Sequence, residues 1–346
     1  MTTDLASAGR IVIAPPNWLG DAVLALPAMA AIRGAAPGAH LALAAPSSVA
    51  ALFRQPSGVA PDDVVTLPSG RSEAIAALAG GRFDLGILFP NSFGSAWRFR
   101  RAGIPQRWGY AASGRGWLLT RRSPRPGRRR ARHMHEYYRA LVEGLGVPVG
   151  DAPPRLGVSA ESARDADRAL AGFADGRARL VVLAPGAAYG QAKQWPPARM
   201  AELVARLVRE AGARCVVVGA AHDRPAARAI ESWLRARAPE TVEGVLDLAG
   251  RTSLGALVGV AARAAVFVSN DSGAMHVAAA LGRPVVAIFG PTDERATGPI
   301  GAHRIVTESV FCRPCLLRDC PIDHRCMTRI TVDRVAAAVM ACLEPV

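Results

Sequence analysis

Residues 265–299 read "AVFVSNDSGAMHVAAALGRPVVAIFGPTDERATGP". A β-branched run ends at Asn270, the chain turns through "DSG", and a helical stretch opens at Gly273. A second β-branched run, "RPVVAIFG" (283–290), follows directly. Strand, helix and strand at this spacing form a parallel βαβ unit. At the turn, unpaired backbone N–H groups and the positive end of the helix dipole face the same way, which suits an anion. Ser272 adds a hydroxyl donor, Gly273 permits close backbone approach, and His276 lies one helical turn on. A second reading stays open: Asp271 and Ser272 are good helix caps, and His276 is a packed side chain.

The same alternation extends outward in both directions. Towards the amino terminus lie "ARCVVVGA" (213–220) and "ARLVVLAPG" (178–186), and a closing helix is expected over 331–343. The first half repeats the pattern, with strands expected at 10–15, 40–46, 63–67 and 85–90. Helical stretches are expected at 21–34 and 133–146. Between the halves, "VPVGDAPPRLGVSAES" (147–162) is dense in Pro and Gly and reads as a linker. The expectation is an α/β protein of two Rossmann-like, doubly wound domains facing a central cleft. One domain spans 1–150, a linker 151–177, and a second domain 178–346. In such sheets ligands gather at the carboxyl ends of the strands, which selects three more loops.

One is "APGAAYGQAKQWPPARM" (184–200), which carries Lys193. This is the only lysine among 42 basic residues. An ammonium is a compact point charge and a guanidinium a flat fork, so the two are not equivalent as phosphate ligands; the bland alternative is codon chance. Another loop is "APPNWLGDAVLALPAM" (14–29), which opens a helix at Asp21. Asp21 is either a cap or a general base, and the G-x-G-x-x-G spacing of a dinucleotide site is missing. The last is "VVVGAAHDRPAARAIES" (216–232), where Asp223 either caps a helix or accepts from a ribose diol.

The net charge is +14, and twelve arginines fall within residues 98–132. No Asp or Glu occurs between Asp84 and Glu136. Such a field favours an anionic partner, whether a nucleic acid, a phosphorylated glycolipid or an acidic membrane surface. The alternative is a solvated loop. No helix-turn-helix, zinc-finger or RNA-binding aromatic signature accompanies the arginines, which counts against nucleic acid. There is no apolar run long enough to span a bilayer, and the first residues lack a signal-peptide pattern. A cytoplasmic protein is expected.

"NWLGDAV", "FPNSFGSA" (89–96), "GIPQRWGY" (103–110), "APGAAYGQAKQWP" and "NDSGAMHVAAALGRPVVAIFGPT" together resemble the glycosyltransferase family 9 heptosyltransferases. The resemblance covers nearly the whole chain. It implies a GT-B fold, an ADP-heptose donor on the second domain and an anionic lipopolysaccharide-core acceptor on the first. It also implies inverting transfer to the first heptose of the inner core, with no metal cofactor, by an enzyme peripheral to the inner face of the inner membrane. Through it, Asp21 becomes the general base and Lys193 the phosphate ligand. Asp271, Ser272, Gly273 and His276 become the donor loop. Asp223 becomes the ribose ligand, although the family often has Glu there. Asn91, Arg107, Arg115, Arg121 and Arg122 are the candidate acceptor contacts. Other family 9 acceptors, a nucleotide-sugar epimerase and an arginine-rich nucleic-acid binder are the rival readings.

Four of the six cysteines crowd residues 311–327 as C-x₂-C-x₄-C-x₅-C: Cys312, Cys315, Cys320 and Cys326, with His324 among them. This spacing fits a structural metal loop, reduced thiols or disulfides. A cytoplasmic location disfavours the last.

Overall fold

The structure, a computed structural model, describes residues 5–127, 132–174 and 179–343. Residues 128–131 of the arginine-rich segment and 175–178 at the end of the expected linker lie outside the described residues. The chain divides into two compact units, residues 1–157 and 158–346.

The first unit holds six strands: β1 (Arg10–Ala14), β2 (His40–Pro46), β3 (Asp63–Leu67), β4 (Leu85–Leu88), β5 (Gln106–Tyr110) and β6 (Arg121–Ser123). They lie in the order β3-β2-β1-β4-β5-β6, every neighbouring pair parallel. The second unit holds β7 (Leu180–Ala184), β8 (Arg214–Val217), β9 (Val245–Asp247), β10 (Val266–Asn270), β11 (Val285–Phe289) and β12 (His303–Thr307). Their order is β12-β11-β10-β7-β8-β9, again all parallel. Each order reverses once, between β1 and β4 and between β7 and β10. Those reversals are the switch points at which ligands enter doubly wound sheets.

The central strands are legible because both of their faces are buried. All five residues of β7, β10 and β11 are buried. Val181, Leu183, Val266, Val268, Val286 and Ile288 point to one core, which is shared with the helices Pro197–Ala211 and Val332–Leu343. Alternate residues Val182, Phe267, Val285, Ala287 and Phe289 point to the other. This two-residue period fills both sides of a parallel sheet with apolar side chains.

Three local expectations change. The stretch 21–34 is two helices, Leu19–Leu24 and Leu26–Ala35. Pro27 has no N–H to continue the ladder, so the first helix ends ahead of it. The segment expected as a linker contains the helix Ala160–Leu170, capped by Ser159, which accepts from the Ser162 N–H. Its Ala166 and Leu170 are buried in the second unit's core. Strands β5, β6, β9 and β12 were not anticipated. Only one residue of five in β12 and one of three in β6 is buried, so they lack an apolar run.

Candidate active site

In the second unit, the loops after β7 and β10 flank the switch point and are joined by Asn270, the last residue of β10. Its buried side-chain amide donates to the Pro185 carbonyl (2.6 Å), and its oxygen accepts from the Trp195 N–H (3.1 Å). Both ends of the lysine loop are thereby clamped to one strand end. Trp195 is fully buried and donates through Nε1 to the Ile330 carbonyl. The helix Pro197–Ala211 then starts with proline in its first turn, as expected.

Within this frame Lys193 Nζ lies 2.6 Å from Asp271 Oδ2, and the two side chains are only 11% and 5% exposed. Thr292, on the loop after β11, donates to the same oxygen at 2.7 Å. The lone lysine and the first residue of "DSG" therefore form an ion pair, with the ammonium also 4.7 Å from the centre of the Tyr189 ring. Asp271 accepts from both Lys193 and Thr292, so its carboxylate holds the lysine in place. Ser272 is the N-cap residue of the helix Gly273–Ala280, but its side chain makes no capping bond to that helix. Its hydroxyl meets Ser269 Oγ at 2.9 Å. His276 is buried on this helix.

Asp223 is buried at the start of the helix Arg224–Arg237, and its carboxylate turns back to accept from the Ala220 N–H at 2.8 Å. It packs so close to Gly186 and Gly219 that a Cβ on either would stand 2.0 or 2.8 Å from it. The aspartate thus ties the turn after β8 to the lysine loop.

The Cys-rich segment is not a separate appendage. The Ala192 N–H donates to the Arg318 carbonyl (2.9 Å), the Tyr189 hydroxyl to the Leu316 carbonyl (2.9 Å) and the Leu316 N–H to the Pro291 carbonyl (2.9 Å). His324 Nε2 meets the Ala192 carbonyl at 2.6 Å, so that nitrogen carries the proton. Arg313 donates to the Gly290 and Thr292 carbonyls, and Arg318 stacks over Tyr189 at 5.2 Å. The segment therefore buttresses the loops that carry Lys193 and Thr292. All six cysteines are free thiols. No cluster of three or more His, Cys, Asp or Glu among the described residues is arranged to hold a metal. Burial, helped by the charges of Cys312, Cys315 and Cys320, pushes the Cys326 thiol up to about 11.

In the first unit, the loops after β1 and β4 flank the other switch point. Asp21 lies in the first turn of Leu19–Leu24, half-buried, while Trp18 occupies the N-cap position. Asp21 is therefore not the cap. Its carboxylate is hydrogen-bonded by Tyr138 of the helix Met134–Glu143. Burial, then the charge of Asp21 and that hydrogen bond, hold the Tyr138 phenol well above its usual range. Asn91, after β4, donates to the Tyr137 hydroxyl at 2.6 Å, and its own oxygen has no partner.

The arginines divide. Arg115 is fully buried; its guanidinium bonds the Tyr110 and Pro90 carbonyls and Ser95 Oγ. Burial lowers its pKa to about 10. It staples the β4 and β5 loops and cannot reach an acceptor, contrary to expectation. Arg107 spends its donors on the Leu118, Ile104 and Pro105 carbonyls. Arg121 and Arg122 are exposed. Tyr138, Tyr189, Asn270 and Thr292 escaped the sequence reading. All four lay inside or beside quoted motifs, but nothing local marked their partners.

Residues 71–325 match the profile of glycosyltransferase family 9 (heptosyltransferase). With two all-parallel six-stranded sheets and switch-point loops of this composition, the chain belongs to that family of GT-B glycosyltransferases and is a heptosyl-transferring enzyme. It is similar to lipopolysaccharide heptosyltransferase 2 of Escherichia coli K12, at 31% identity over 84% of this chain and 85% of that protein. The Salmonella typhimurium protein of the same name is 32% identical over the same shares. The solved E. coli ADP-heptose lipopolysaccharide heptosyltransferase II superposes with a TM-score of 0.82 at 28% identity, covering 96% of this chain and 98% of that one.

Proposed function

We propose that the enzyme transfers heptose from ADP-heptose to the first heptose of a lipopolysaccharide inner core, with inversion. The observation that carries this is the Lys193–Asp271–Thr292 cluster beside the start of Gly273–Ala280. An ammonium held in place by a buried carboxylate, next to a helix amino end, is a preorganised site for charge growing on a departing diphosphate. These groups supply the field that a divalent ion supplies elsewhere, so the proposed transfer is metal-independent. Ser272, Gly273 and His276 line the same loop, and Asp223 is the candidate ribose acceptor.

The first unit would take the acceptor. Asp21, fixed by Tyr138, removes the proton from the attacking heptose hydroxyl as it displaces the diphosphate in line. Asn91, Arg121 and Arg122 are the acceptor contacts that stay available at that edge. No described helix is long and apolar enough to cross a membrane. A lipid-linked acceptor then requires the enzyme to work as a peripheral protein at the cytoplasmic face of the inner membrane.

The test is transfer from ADP-heptose to a core acceptor ending in one heptose, followed by linkage analysis. An inverted linkage to that heptose is expected. Product formed from donor alone would instead indicate epimerase chemistry. Transfer only to heptose-free cores would indicate a different family 9 acceptor.

A further inference from the structure

We propose that Phe93, Trp97 and Trp117, set among Arg100 and Arg101, form a patch that docks the enzyme on an anionic phospholipid surface. The large apolar side chains that stand exposed in the first unit, among the described residues, are Trp18 (55%), Phe93 (41%) and Trp117 (57%). Trp18 and Phe93 follow β1 and β4 at the carboxyl edge of the sheet, which also carries Asp21, and Trp117 lies on the connection from β5 to β6. Phe93 and Trp97 stack with centroids 6.3 Å apart, and Phe93 meets Trp117 at 6.0 Å. Arg100 lies over Trp117 at 5.5 Å and Arg101 over Trp97 at 5.9 Å.

The helix Phe93–Arg101 already buries Ser95, Ala96 and Phe99 inward. Trp97 packs one side against the first unit's core and stays partly exposed, while Phe93 stands clear of that core. No carboxylate pairs with Arg98, Arg100, Arg101, Arg121, Arg122 or Arg125 among the described residues, in keeping with the gap in acidic residues from 84 to 136. Exposed aromatics interleaved with unpaired arginines match a bilayer interface, where rings sit at headgroup level and guanidiniums meet lipid phosphate. The other exposed large apolar side chains, Phe311, Leu316, Leu317 and Ile322, sit in the second unit, where Asp319 and Asp323 alternate with Arg313, Arg318 and Arg325, so that segment lacks the acid-free field of the first-unit patch. The proposal rests on the reading above only in placing the acceptor's lipid at this surface.

The experiment is co-sedimentation of the full chain with vesicles of phosphatidylglycerol in phosphatidylcholine, or of phosphatidylcholine alone. Transfer to a delipidated, water-soluble acceptor is measured in parallel. Binding to the anionic vesicles alone is expected. Phe93→Ser with Trp117→Ser weakens it on the order of tenfold. The exposed pair Arg100→Gln with Arg101→Gln weakens it about fivefold per arginine. Both variants keep the wild-type melting temperature and transfer to the soluble acceptor, and Ile322→Ser binds vesicles as wild type. Vesicle binding untouched by both variants overturns the proposal. So does transfer to the soluble acceptor falling in step with vesicle binding, since the patch would then grip sugar. Failure of the heptosyl reading would show separately, as no transfer by the wild type to the soluble acceptor.

Discussion

Lys193 has two jobs that can be separated. As one half of a buried ion pair it satisfies Asp271, and as a cation it is the proposed ligand of the donor diphosphate. Lys193→Met leaves the carboxylate buried with Thr292 as its remaining partner, and should cost about 3 kcal/mol of stability. Adding Asp271→Leu removes the stranded charge and should restore most of that loss in a denaturant titration. Transfer activity should stay lost in both. Recovery of activity in the double variant would show that the ammonium acts only through the fold.

Arg115 is the opposite case, a cation whose charge serves structure alone. Arg115→Met strands the Pro90 and Tyr110 carbonyls and should destabilise the protein by about 3 kcal/mol. The acceptor KM of the folded fraction should not change, and steady-state kinetics below the melting transition will read this. Sequence could not separate Arg115 from Arg122, because composition shows the charge of a side chain and not whether a strand end has closed over it.

Among the secondary-structure elements, legibility followed burial. The central strands β1, β7, β10 and β11 announce themselves as apolar runs, and the loops after them follow from parallel-sheet topology. The edge strands β6 and β9 are only three residues long, and β12 opens on two exposed polar residues, so none of them reads as an apolar run. The helix Ala160–Leu170 was hidden by the Pro- and Gly-rich stretch before it. It is specified by contact with the helix Leu254–Ala262, where a Cβ on Gly259 would stand 2.2 Å from the Ser162 carbonyl oxygen. The candidate site was legible where a motif lay on one loop, as with 271–273. It was not legible where partners came from distant segments, as with Lys193 and Asp271, Asp21 and Tyr138, or the Cys-rich segment and Ala192.

That last contact makes a prediction of its own. A Cβ on Gly190 would lie 2.4 Å from the Arg318 carbonyl oxygen. Gly190→Ala should push residues 311–327 off the lysine loop and lower kcat/KM for the donor on the order of tenfold. Hydrogen exchange should increase at Ala192, whose N–H bonds the Arg318 carbonyl across that junction. Unchanged kinetics would reduce the Cys-rich segment to packing.

At the scale of the whole molecule, the two units repeat one plan. Each is a six-stranded, doubly wound sheet with its chemistry-bearing loops at the switch point. The first presents a carboxylate, Asp21, and a tyrosine-rich helix. The second presents a lysine and a helix amino end. The proposed base thus lies on one unit and the proposed diphosphate site on the other, so the proposed transfer draws on both. The concentration of arginine in the first unit and of the only lysine in the second fits the same division between an anionic acceptor and a nucleotide donor.

The division is tested most directly by Asp21→Asn, with turnover and ADP-heptose affinity measured on the same preparation. Turnover is predicted to fall roughly 10²- to 10⁴-fold while the donor Kd stays within about a factor of two of wild type, because the proposed donor site lies on the second unit. Wild-type turnover in that variant, or a donor Kd weakened in step with the rate, would contradict the account.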